Sequence, residues 1–149
     1  MAKVPIRAMD VARYITGMMS VDNLKLQKLL YYSQAVHLIR FDEPLFADTI
    51  EAWRYGPVVR EVYNHYKKYG FEQIPNSSAK EEAPNLCPEQ LESVDLVLGY
   101  YGEMSAIRLV NETHSEKPWK DAYDPLHENR EISIEAISVF YKDVFDFSN

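Results

Sequence analysis

Residues 23–40 constrain the fold more than any other stretch of the chain. Leu24, Leu26, Leu29, Leu30, Tyr31, Tyr32, Ala35, Val36, Leu38 and Ile39 fall at helical spacing yet cover more than one face. A helix that is apolar nearly all round must be packed on several sides. A chain without membrane spans can do that only by surrounding the helix with other elements. The fold class predicted is therefore mainly α: a single compact domain of about six helices around this axial one. Ser20 and Asp22 stand just ahead of it as polar start signals.

The remaining helices follow from narrower stripes. Ala8, Val11, Ala12, Ile15 and Met19 mark a first helix over residues 7–19. Gly56-Pro57 is read as opening a third, because Pro at the first helical position lacks only an N–H that would be unpaired anyway. Val59, Val62, Tyr63 and Tyr66 continue it, and Lys67, Lys68 and Gly70 close it. Pro88 opens a fourth with Leu91, Val94, Leu98 and Tyr101 on its stripe, and Gly102 breaks it. A fifth, from Ser105 to about His114, is expected to bury Ile107 and Val110, and Pro118-Trp119 reads as a turn. The last begins at Ser133, with Ile134, Ile137, Phe140 or Tyr141, and Val144 facing inwards. Residues 49–53 alternate as a short strand, with 71–74 as partner in a minor two-stranded β element. The stretch 71–87, broken by prolines, is a loop within the domain.

Composition bounds the function classes. With 149 residues, 46% of them hydrophobic, the chain is long enough for one core, and residues 1–149 are expected to form one domain. The single cysteine, Cys87, excludes an intramolecular disulfide and fits a reducing compartment. No stretch approaches the ~20 apolar residues of a membrane span, and the first residues lack a signal-peptide core. A cytoplasmic location and no membrane association are expected. Residues 1–75 carry ten Lys and Arg against eight Asp and Glu, whereas residues 76–149 carry six against fifteen. Nucleic acid is thus a poor partner for the second half, which would steer a basic protein instead.

Catalytic signatures are sparse. The four histidines, His37, His65, His114 and His127, include no i, i+4 pair, and one cysteine cannot build a zinc knuckle. There is no nucleophile elbow and no phosphate-binding glycine loop. No cofactor and no metal are expected. The most enzyme-like feature is Glu112-Thr113-His114-Ser115-Glu116, where carboxylates flank an imidazole. The same residues end a helix, and capping explains them better than catalysis does. Trp53, Tyr55, Tyr63 and Tyr66 lie near Lys25, Lys28, Arg54 and Arg60 in sequence. That mixture serves either as core packing or as a binding groove rich in rings and Arg.

Three stretches taken together carry a resemblance. The first is Lys25-Leu26-Gln27-Lys28-Leu29-Leu30-Tyr31-Tyr32 with Gln34. The second is Ile50-Glu51-Ala52-Trp53-Arg54-Tyr55-Gly56-Pro57-Val58-Val59 with Val62-Tyr63. The third is Thr113-His114 with Pro118-Trp119. In this order and spacing the chain, over about residues 7–145, resembles the Panacea domain, also described as SocA-like or phage-associated GepA-type. The resemblance implies an antitoxin that neutralises a cognate toxin, encoded nearby, by direct protein contact, and no enzyme. Alternatives within the family are an adaptor delivering the toxin to a Clp protease, or a phage- or prophage-associated protein with another binding role. An enzyme using His114 is the reading from another class. Many members carry an accessory domain, which is not expected here. Arg60 stands where the family often has Pro. Among the motif residues, Leu26, Leu29, Tyr31, Gly56, Pro57, Thr113, Pro118 and Trp119 read as scaffold. Lys28, Tyr32, Trp53, Tyr55 and His114 are the candidates for a polar–aromatic binding cluster.

Overall fold

The computed structural model describes residues 6–76 and 85–147. Part of the loop read at 71–87 therefore lies outside the described residues. In chain order the elements are α1 (Ala8–Met18), α2 (Asn23–Phe41), β1 (Ile50–Trp53), β2 (Gly56–Val58) and α3 (Arg60–Tyr66). Then come a 3-10 turn (Lys67–Tyr69), α4 (Pro88–Tyr101), α5 (Ala106–Ser115), α6 (Lys117–Ala122), β3 (Glu131–Ile132) and α7 (Ile134–Tyr141). The fold is mainly α with a small antiparallel sheet ordered β2-β1-β3. No helix among the described residues is long and apolar enough to cross a membrane.

The axial role of α2 is realised. Asp22 caps it by accepting from the Lys25 backbone N–H at 2.8 Å, and Asp42 ends it in a left-handed conformation, which Asp tolerates better than most side chains. The helix packs against α1, α3, α4, α5, α7 and β2. Leu26, Leu29, Leu30, Tyr31, Tyr32 and Ala35 are buried in its core. Each fully buried Leu contributes about 1.5–3 kcal/mol.

Burial on α2 extends to its polar residues, and three of these, Gln27, Lys28 and Gln34, secure segments that are not helical. Gln27 Oε1 accepts from the Val59 backbone N–H at 2.9 Å, and Lys28 Nζ donates to the Pro57 carbonyl at 3.0 Å. Gln34 accepts from the Leu45 N–H at 2.7 Å and donates to the Phe46 carbonyl at 2.8 Å. Buried backbone groups outside secondary structure need such partners.

Several local expectations are corrected. β1 does not pair with residues 71–74. It pairs with β2, in the register Glu51↔Val58, Ala52↔Pro57 and Trp53↔Gly56, and with β3 through Ile50↔Ile132 and Glu51↔Glu131. The 71–74 stretch has no strand, and the Ile74 N–H donates instead to the Val21 carbonyl at 2.8 Å. Gly56-Pro57 does not open a helix: Gly56–Val58 is β2 and α3 starts at Arg60. A tight hairpin leaves no room for a helical turn there. Arg54 and Tyr55 form the loop with negative φ, and Gly56 takes the left-handed geometry at φ 111°. Pro118-Trp119 is not a turn but the first part of α6, where Pro fits the first positions without losing a bond. Ile107, Ile134 and Val144, expected inside, are exposed, whereas Val110, Ile137 and Tyr141 are buried.

Candidate binding groove

The β1–β2 hairpin, the start of α2, α3 and α5 enclose a groove of about 590 Å³. Trp53, Tyr55, Tyr63, Phe71 and Ile107 supply its large apolar side chains. Tyr55, Phe71 and Ile107 are 57%, 86% and 65% exposed. Arg54, Lys67 and Glu128 are its charged lining residues besides Lys28.

Trp53 is held from several directions. Its Nε1 donates to Glu51 Oε1 at 2.9 Å, its ring meets Tyr63 edge-on at 4.9 Å, and the Arg60 guanidinium lies 5.0 Å from its centroid. Glu51 also pairs with Arg60 at 2.7 Å, so the carboxylate aligns ring and cation together. The Trp53 carbonyl accepts from Trp119 Nε1 at 2.7 Å. Trp119 in turn stacks on His114 at 4.0 Å and on Tyr123 at 4.6 Å. A column of rings thus supports the hairpin that carries the groove wall. The loop tip is anchored by Glu128, which accepts from the Arg54 N–H at 3.1 Å.

Lys28 approaches the groove from beneath. Its side chain is fully buried, and burial pushes the ammonium down to about 7, partly opposed by Asp22. The lysine stem fills the space that a side chain at Gly56 would need. A Cβ there would lie 2.5 Å from Lys28 Cε and 2.9 Å from Thr113 Oγ1. Gly56, Pro57, Lys28 and Thr113 therefore form one interlocked joint between α2, the hairpin and α5. Thr113 completes it by donating its hydroxyl to the Val110 carbonyl at 2.8 Å.

The two remaining candidates lie elsewhere. Tyr32 is buried and does not line the groove. Its hydroxyl donates to Glu116 Oε1 at 2.6 Å, Tyr141 donates to the same oxygen at 2.7 Å, and the Tyr31 hydroxyl lies within hydrogen-bond distance of the Tyr141 oxygen at 3.1 Å. Tyr101 stacks on Tyr32 at 4.0 Å. Burial raises the Glu116 pKa, while the two phenols draw it back by hydrogen bonding to the carboxylate. Burial likewise holds the phenols of Tyr31, Tyr32 and Tyr141 above the usual tyrosine range. His114 also does not line the groove. Its ring is flat against Trp119 and its Nε2 is buried. Burial lowers its pKa, with the Arg54 backbone opposing and Lys28 adding to the decrease. Glu116, its neighbour in sequence, is engaged by Tyr32 and Tyr141.

The structure thus gathers Lys28, Trp53 and Tyr55 and leaves Tyr32 and His114 behind them. Leu26 and Leu29 are core residues of α2, Tyr31 belongs to the tyrosine cluster, and Pro118 begins α6. The basic residues near the hairpin do not form one free face. Lys25 Nζ donates to the Gly102 carbonyl at 2.6 Å, Lys28 to Pro57, and Arg60 to Glu51. Among the described residues no cluster of three or more His, Cys, Asp or Glu is placed to hold a metal.

Two comparisons bear on this arrangement. Residues 26–120 match the family described as antitoxin SocA-like, Panacea domain. The chain is 31% identical over 137 residues to Antitoxin SocA of Caulobacter vibrioides (strain NA1000 / CB15N), with 85% of this chain and 73% of that protein covered. This chain belongs to the SocA-like Panacea family. No solved structure matches it. In this Panacea domain the three motif stretches meet at one place: α2 supplies Lys28, the hairpin supplies Gly56 and Pro57, and α5 and α6 supply Thr113, His114 and Trp119. Phe71, Ile107 and Glu128 were not singled out from the sequence for this site. Their only signal there is an apolar or charged residue beside a turn or on a helix, which many surface positions share.

Proposed function

We propose that this Panacea domain neutralises a protein toxin by binding it directly through the aromatic groove, without catalysing a reaction. The observation that carries the reading is the exposure of Tyr55, Phe71 and Ile107 together around one concave site. Clustered exposed apolar side chains mark surfaces that a partner covers, and rings with Arg nearby are the usual anchors. Family membership supports a toxin as that partner, since the Caulobacter relative is named an antitoxin. The packing of His114 against Trp119, with Glu116 turned to two tyrosines, favours a supporting role over acid–base chemistry. A cytoplasmic site of action accords with the lone cysteine.

The test is co-expression with the product of the neighbouring gene. The wild-type chain should restore growth and co-purify with the toxin. Tyr55→Ala combined with Phe71→Ala should lose both while melting as the wild type does. Retained rescue by that double variant would move the interface away from the groove. Toxin half-life, followed with and without Clp protease, separates masking from delivery: masking leaves it unchanged.

A further inference from the structure

A second concave surface shares no residue with the aromatic groove. It runs between α6 and α7, encloses about 540 Å³, and is floored by Pro118, Ala136, Val139, Phe140 and Val144. Val139 is 71% exposed and Val144 48%. Ala136, Phe140 and Val144 follow one another at four-residue spacing, so they form a second stripe on α7 and its extension. Ile137 and Tyr141 already fasten α7 to the core. Phe140 of the second stripe is half-buried against the core, whereas Ala136 and Val144 are left exposed.

Its charged lining residues are Lys117, Asp121, Glu135 and Asp143. Lys117 is paired with Asp121 at 2.8 Å. Glu135 and Asp143 have no cationic partner among the described residues, and both are exposed. Lys120 and Lys142, on the same elements, do not line the groove. The site therefore presents an apolar floor with unneutralised negative charge on its rim. Neither wall is an extended strand, so neither offers a sheet edge to which a partner could add a strand. Recognition must pass through side chains, as when an amphipathic helix lies in a groove.

We propose that the α6–α7 groove docks an amphipathic, basic helical segment of a partner protein, its apolar face on Val139, Phe140 and Val144 and its Lys or Arg residues against Glu135 and Asp143. This surface is independent of the aromatic groove and operates whether or not that groove binds a toxin.

The probe is a synthetic helical peptide with Leu at i, i+3, i+4 and i+7 spacing and Lys elsewhere, titrated by fluorescence anisotropy against the full chain. A second peptide replaces every Lys by Glu. The Lys peptide should bind, more weakly as salt rises, and the Glu peptide should not. Val139→Ser, and separately Glu135→Lys with Asp143→Lys, should each weaken binding by about tenfold, the size expected for a lost apolar anchor or two reversed rim charges. Glu72→Lys with Glu103→Lys alters net charge equally at exposed positions outside the groove and should change affinity less than about twofold at moderate salt. Tyr55→Ala should leave affinity unchanged. Four results would overturn the proposal. These are no binding of the Lys peptide, equal binding of both peptides, and equal losses from the two charge-reversal pairs. The fourth is a concentration-dependent dimer abolished by Val139→Ser, which would make a second copy the occupant.

Discussion

Gly56 is the residue on which the site geometry depends most directly. Its φ of 111° disfavours any L side chain, and the Cβ of an alanine would press on Lys28 and Thr113. Gly56→Ala should destabilise the fold by about 1–3 kcal/mol from backbone strain alone, more if Lys28 cannot shift. Chemical denaturation would measure it, and an unchanged midpoint would contradict the joint. Lys28 makes a second residue-scale prediction. Its folded pKa is about 7, against about 10.4 in an unfolded chain. Between those values the unfolded state holds the proton and the folded state does not, so stability rises with pH through that window. Lys28→Met should flatten the rise, as read from melting curves across pH 7 to about 10.

At the scale of elements, α7 is held by a hydrogen-bonded pin as well as by packing. Tyr141 reaches Glu116, which precedes α6, and Tyr31 on α2. Tyr141→Phe keeps the ring contacts but leaves Glu116 with Tyr32 alone. The expected loss is about 1–3 kcal/mol, the scale for a buried hydrogen bond to a charged group. Amide exchange should accelerate in α7 before α2. Uniform acceleration over both would mean that α7 does not open separately. The β1–β2 hairpin depends in a similar way on the elements behind it, because Trp119 on α6 donates to the Trp53 carbonyl. Trp53→Ala should abolish partner binding at the groove and also destabilise the fold, though by less than the ~3–5 kcal/mol typical of a fully buried ring, since Trp53 is only partly buried.

For the whole molecule, the tyrosine cluster limits the alkaline side of stability. The folded-state phenols of Tyr31, Tyr32, Tyr101 and Tyr141 titrate above their unfolded value. Their contribution is complete below about pH 10 and is lost as pH rises beyond it, because the unfolded chain ionises first. Combined with Lys28, stability should climb from neutral pH and then fall above about pH 10. A profile that rises monotonically would exclude the cluster as an energetic centre. The two grooves also divide the molecule by charge. Arg54 and Lys67 outnumber the one carboxylate, Glu128, at the aromatic groove, whereas Glu135 and Asp143 leave the α6–α7 groove negative beside the Lys117–Asp121 pair. Opposite charge preferences at the two surfaces follow.

The chain order of local signals determined the helices. Asp22 and Ser133 start helices where they stand, Pro88 opens α4, and the apolar span of 23–40 required a central α2. Such signals are legible because helical bonds and caps join residues a few positions apart. The three motif stretches also determined the family, since their identity and spacing need no coordinates. Tertiary structure decided the rest. Whether β1 pairs with 56–58, 71–74 or 131–132 depends on contacts across up to about eighty residues, and a short alternating stretch carries no register of its own. Exposure of Ile107 and Val144 was hidden for a related reason: an apolar stripe shows that a face seeks cover, not whether this chain supplies it. Lys28 and Tyr32 sit side by side in the motif region of α2, yet one braces the hairpin and the other binds Glu116. Their partners come from different parts of the chain, and only folding brings those parts to the helix.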